Sequence, residues 1–228
     1  MSAQDNNQAI PSHDPANAGG LAGTLREVFK KLMQGVDDML PARIVAYDRK
    51  RNVATVQPQV MVLTTENRTL SRPPLASVPV LALGGGGFVM SFPLKPGDSG
   101  WIKASDRDIS LYMQSGNESG PNTQRLHSFA DGLFIPDVMR GYTLSGEDEA
   151  NAVLQSSDGS VRVALWPDKL KLTAPMIELD AADVNCTGNL TTEGRVTGKG
   201  GVTFGKTPAE THRHDGVQRG SDTSGGPV

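Results

Sequence analysis

From Val161 to Phe204 the chain repeats very short apolar/polar alternations at a near-constant step, and few folds can absorb such a pattern. Leu170, Ile177 and Val184 are seven residues apart, as are Leu172, Leu179 and Cys186, and Leu190, Val196 and Val202 follow at steps of six. Residues i and i+2 of a strand share one face of the pleat. Val161/Val163/Leu165, Leu170/Leu172, Ile177/Leu179 and Val202/Phe204 therefore each present their side chains together. The strands are shorter than the five or so residues usual in sheets, and a lone copy of residues 160–204 offers one thin apolar stripe. Segments below ~40–50 residues rarely close a core without staples or oligomerisation. Identical chains wound about one axis bury every stripe against its copies and leave no long free edge. The pattern predicts an intertwined homo-oligomeric β-helix. A single-chain β-meander or solenoid is the alternative, because periodicity does not count chains.

The rest of the chain bounds the function. Its 228 residues allow one or two domains, and 37% hydrophobic with only 5% aromatic residues is lean for a compact enzyme. Gly 26 and Pro 15 argue for a turn-rich, mainly β protein. A formal charge of −3 sets up no field for a polyanion, so no nucleic-acid partner is expected. The single cysteine, Cys186, excludes an intrachain disulfide framework, and its place in the stripe reads as a buried small hydrophobe. The start lacks the basic and apolar regions of a signal peptide. Residues 73–94 carry no charge, but their prolines and the Gly84–Gly87 run exclude a membrane helix.

Five segments follow from the changes of pattern. Residues 1–40 read as a flexible leader and an amphipathic helix from Leu21 to about Leu40, with Leu25, Val28, Phe29, Leu32, Met33 and Val36 at helical spacing and Pro41 as its stop. Its apolar face is expected to dock on its own domain, with a neighbouring subunit as the other option. Residues 41–140 alternate with period two in Ile44–Tyr47, Val53–Gln57, Val60–Leu63, Val78–Leu83, Phe88–Phe92, Gly100–Ala104 and Ile109–Met113, the pattern of a small OB-like barrel. Residues 114–150 read as loop-rich, with the acidic Glu147-Asp148-Glu149 in a connector, 141–159 as a linker, 160–205 as the β-helix, and 206–228 as a tip.

His212-x-His214 is the sharpest chemical signal. Imidazoles at i and i+2 of an extended chain project to one side, so three chains about an axis supply six nitrogens. Six such ligands suit an octahedral ion. Iron(II) fits, nickel competes, and zinc normally takes four ligands. An enzyme reading would instead join His212 and His214 to a third ligand such as His127 in an open metal site. Gly97-Asp98-Ser99-Gly100 echoes a serine-protease nucleophile loop, but Trp101 replaces the expected glycine and only His13 lies upstream, so Lys95–Asp98 reads as a turn. Gly84–Gly87 lacks the Lys-Ser/Thr of a phosphate loop and reads as a mobile inter-strand loop, and Asp106-Arg107-Asp108 as a solvated, self-paired charge cluster. Tyr47 beside Arg49, Lys50 and Arg51 is the one stacking cluster an OB nucleic-acid module could use, a secondary reading.

These residues resemble the central membrane-puncturing spike of contractile phage tails, including the baseplate protein V group. Leu40–Asp48 with Ala54–Pro58 resembles the opening of that family's OB domain, Pro96–Trp101 with Asp106–Ile109 its later strands, and Leu170–Leu179 its β-helix repeats. Thr211–Gly220 with Gly225-Gly226-Pro227 is similar to the tip in which paired histidines hold iron; here Arg213 and Asp215 make a more charged apex. The resemblance implies a non-enzymatic homotrimer in the virion, with an OB collar, a triple-stranded β-helix and one Fe ion held at the apex by His212 and His214 of three chains. It implies as partners the tail tube and baseplate proteins and, by mechanical contact, the host outer membrane, with no small-molecule substrate.

Overall fold

The computed structural model describes residues 20–64, 68–209, 216 and 220. The chain divides after Pro175 into two units.

The first unit opens with helix α1, Gly20–Gln34, followed by strands β1 (Met39–Asp48), β2 (Val53–Pro58), β3 (Val62–Leu63), β4 (Thr69–Leu70), β5 (Leu75–Pro79), β6 (Leu83–Gly85), β7 (Phe88–Met90) and β8 (Ser99–Arg107). A short helix α2 (Ser110–Ser115), β9 (Leu126–Pro136), a 3-10 turn at Gly146–Asp148, β10 (Ala152–Gln155), β11 (Arg162–Leu165) and β12 (Leu170–Thr173) complete it. Five strands form one antiparallel sheet in the order β5-β2-β1-β8-β9. Past the end of β5, Val80 pairs in parallel with Phe134 of β9, and Leu81 N–H donates to the Phe134 carbonyl at 2.8 Å, drawing the two edges together. The sheet is a near-closed barrel, consistent with the OB-like barrel that the alternation predicts.

Closure follows from the residues. Register shifts in β1 between Ile44 and Ala46 and in β8 between Lys103 and Ser105 are bulges, which bend and twist their strands. Alternate side chains then point inward: Ala42, Ile44, Ala54, Val56, Val78, Val80, Ile102, Ala104, Phe129 and Phe134 form the core. Burying each of the larger ones contributes roughly 1.5–3 kcal/mol. Gly100 is required by close approach, since a Cβ there would meet the Ile135 carbonyl at 2.4 Å and the Phe134 ring. β6 and β7 form a hairpin whose turn residues Gly86 and Gly87 have φ of 59° and 87°, so two glycines of the tetraglycine are paired strand rather than loop.

Several expectations are corrected here. The helix ends at Gln34, not Leu40, because the next residues are drawn to the barrel: Asp37 N–H donates to the His127 carbonyl at 2.9 Å, and Ala104 N–H to the Asp38 carbonyl at 2.8 Å. Pro41 lies inside β1 instead of stopping the helix, with Trp101 of β8 as its register partner. The helix does not dock on its own domain, as its apolar side chains stand open, Leu21 at 75% and Phe29 at 65% exposure. Ile109–Met113 is not a strand: the Asp108 carboxylate accepts the Ser110 N–H at 2.9 Å and starts a helical turn, which Gly116 ends with φ 68°. Residues 114–150 are not all loop, because β9 occupies eleven of them.

In the second unit, β13 (Thr203–Phe204) and β14 (Thr207–Pro208) form a two-residue hairpin. Residues 176–202 carry no strand in the lone chain, and Met176, Leu179, Val184, Leu190 and Val196 are exposed, as is Cys186.

Candidate assembly face

β10, β11 and β12 form a three-stranded antiparallel sheet that begins at Ala152, within the stretch read as linker. Ala152, Leu165 and Leu170 are in register, as are Leu154, Val163 and Leu172, so one face carries six apolar side chains. That face is open. Leu154, Leu165, Leu170 and Leu172 are 54, 58, 60 and 47% exposed.

The other face is sealed by the chain itself. Asp148, fully buried in the 3-10 turn, accepts hydrogen bonds from Arg162 Nε at 2.9 Å and Trp166 Nε1 at 3.2 Å. Ala164, between those partners on the same face, is completely buried. Glu147 accepts both Lys171 Nζ, at 2.9 and 2.8 Å, and the Arg162 guanidinium; the Lys171 ammonium and then the guanidinium hold its carboxyl below the usual range. Glu147 and Asp148, of the acidic triplet taken for a connector, thus form a polar plug. Nothing in the local sequence flagged it, because Arg162 and Trp166 lie fourteen and eighteen residues from Asp148. The hairpin joining β10 to β11 is fixed by Asp158, which accepts hydrogen bonds from Ser156 Oγ at 2.6 Å and from Ser160 N and Oγ. These bonds, Ser156's first, pull its carboxyl down to about 2.

The barrel holds a second charged cluster. Arg125 pairs with Asp131 through Nε and Nη2, each at 3.0 Å, and its Nη2 reaches Asp108 at 3.1 Å, while Thr123 Oγ1 donates to Asp108 at 2.6 Å. Asp108 is 4% exposed, so the solvated cluster expected at Asp106–Asp108 is corrected: loop closure buries one acid and leaves Asp106 out, 3.4 Å from His127 Nε2. Hydrogen bonds from Ser110 and Thr123 hold the Asp108 carboxyl far below its ordinary value. Asp98 accepts Lys95 N–H at 2.7 Å, the turn expected there. Tyr47 packs on the barrel core and donates to Asn52 Oδ1 at 2.9 Å, which commits the ring of the one stacking cluster to the interior.

His212 and His214 lie outside the described residues. Among the described residues no group of three or more His, Cys, Asp or Glu is placed to hold a metal ion, and no helix is long and apolar enough to cross a membrane.

A near-closed barrel followed by a sheet sealed on one face and apolar on the other offers a surface suited to contact with another chain. Comparison with protein families places it further. The Phage protein Gp138 N-terminal domain matches residues 40–137, covering the barrel, and the GpV Apex motif matches residues 210–228. Comparison with curated proteins returned no match. Together the two family matches identify the chain as a phage baseplate spike protein of the gpV/Gp5-type tail spike family, a virion tail component that assembles with other tail proteins. Families of this kind are structural.

Proposed function

We propose that the protein is a homotrimeric membrane-piercing spike. In this reading the barrel of residues 41–140 is the collar, 141–159 supplies the plug and β10, 160–205 of three chains wind into a triple-stranded β-helix, and 206–228 form the tip. The open apolar face of β10–β12 carries the reading. Six apolar side chains face away from a sheet whose other side is already plugged, and the apolar residues of 176–196 continue without intrachain cover. Copies of the same stripe about one axis supply that cover.

At the tip, the donor set fits iron. His212 and His214 of three chains give six neutral nitrogens, a number and hardness suited to octahedral iron(II), with nickel or zinc less well matched. The ion would clamp three chain ends where apolar packing has run out, and contraction of the tail would drive this rigid apex through the host outer membrane. No bond is made or broken in that task.

Light scattering combined with elemental analysis tests the proposal. The expected result is a mass of about 72 kDa, three times the 24.1 kDa chain, with about one iron per trimer. A monodisperse 24.1 kDa species refutes it.

A further inference from the structure

Helix α1 leaves its apolar side chains open. Its fifteen residues are at the lower limit of what stands alone, since isolated helices under ~12–15 residues are marginal in water. Leu21, Leu25, Val28, Phe29, Leu32 and Met33 are all at least half exposed. Something must cover them in the assembled particle.

The residue types specify the cover. Leu21, Leu25, Val28 and Leu32 follow steps of four, three and four, which makes Leu25 and Leu32 the a positions and Leu21 and Val28 the d positions of a heptad. Leucine at both a positions with the β-branched Val28 at one of the two d positions leans away from a two-stranded coil toward three or four strands. Phe29, at e, flanks this seam and widens the apolar stripe on one side beyond the a/d line. The charges fall off the seam. Glu27 precedes Lys31 by four residues, the favourable order for an intrahelical pair.

The anchor points to the same occupant. Only residues 35–38 separate the helix from β1, and Asp37 is tied to the barrel through Arg72 Nη1 at 2.8 Å and through its own N–H to His127. Three barrels around one axis would hold three such helices at a local concentration of roughly millimolar, enough to support a coil too short to form from free peptides.

We infer that α1 packs against the α1 helices of two further copies as a short parallel three-stranded coil. The inference rests on the trimeric reading above and adds a second trimerisation element to it.

Engineered cysteines in the full chain, in a Cys186→Ala background, test it. Val28→Cys and Leu25→Cys place the thiol on the seam, and Lys30→Cys places it on the outer side. All three positions are on an exposed helix, so the variants keep the fold. Mild oxidation is expected to convert the Val28→Cys and Leu25→Cys proteins to a two-chain disulfide species at least ten times faster than Lys30→Cys, because only seam thiols meet at short range. A particle of about 72 kDa in which the three positions react equally overturns the coil while leaving the trimer intact, and means that the helix face is covered by the barrel, another tail protein or lipid. A mass of 24.1 kDa overturns coil and trimer together.

Discussion

Leu172→Asp probes the open face at its weakest tolerance for charge. In the lone chain Leu172 is 47% exposed, so an aspartate there keeps access to water, and the sealed side of the sheet is untouched. Assembly changes this. Fully burying a leucine is worth about 1.5–3 kcal/mol, so covering the exposed half of each of the four leucines contributes about 1 kcal/mol, or about 12 kcal/mol over three chains. The substitution removes about 3 kcal/mol of that total and points three carboxylates at one dry axis without cations. Each unpaired charge costs at least several kcal/mol when buried, or must take up a proton. The combined penalty is on the order of 10 kcal/mol, comparable to the whole gain from the face. The expected outcome is loss of the trimer at micromolar concentration in light scattering, with far-ultraviolet circular dichroism of the barrel unchanged. A Leu172→Asp protein that remains at about 72 kDa with an unaltered thermal midpoint refutes the assignment of this face to the trimer interior.

Asp148→Ala leaves the Trp166 indole N–H without its acceptor and strips one carboxylate from an Arg162 side chain that is 13% exposed. Arg162 keeps Glu147 and the Gly159 carbonyl, so the loss is placed at about 3 kcal/mol, read as a lower denaturation midpoint of the β10–β12 sheet. Asp158 has a folded pKa of about 2 against about 3.9 in an unfolded chain, so its contribution is present above pH ~4 and is lost as pH falls toward 2. The thermal midpoint of Asp158→Asn should therefore decline less steeply than wild type over that interval, and parallel curves would contradict the hydrogen bonds drawn to its carboxylate. His212→Ala is expected to abolish bound iron by elemental analysis while the mass stays trimeric, and a strong chelator should lower the thermal midpoint of wild type but not of the variant.

The barrel was largely legible because its strands bury alternate residues: Ile44 and Ala42, or Ile102 and Ala104, announce a face by period two alone. β9 was missed because Asp131-Gly132 interrupts its alternation, although Asp131 is held by Arg125 and Phe129 and Phe134 fill the core on either side. Ile109–Met113 has strand-like composition but lies behind Asp108, whose carboxylate caps a turn, and a local hydrogen bond outweighs a weak propensity. The plug at Asp148 was illegible for a different reason. A buried ionic group is defined by partners distant in sequence, and a run of acids looks solvated until Arg162, Trp166 and Lys171 are brought over Glu147 and Asp148.

The two faces of one small sheet divide folding from assembly. On the sealed face the contacts are directional: Arg162, Trp166 and Lys171 each donate to the Glu147 or Asp148 carboxylates, and a shift of one residue would carry all three to the opposite side. Register is therefore set inside each chain before any partner arrives. The open face has no such directionality, since Leu154, Val163, Leu165, Leu170 and Leu172 gain from any apolar cover in proportion to area. A polar face that fixes register and an apolar face that rewards contact let β10–β12 fold within one chain and still offer a preformed surface to another.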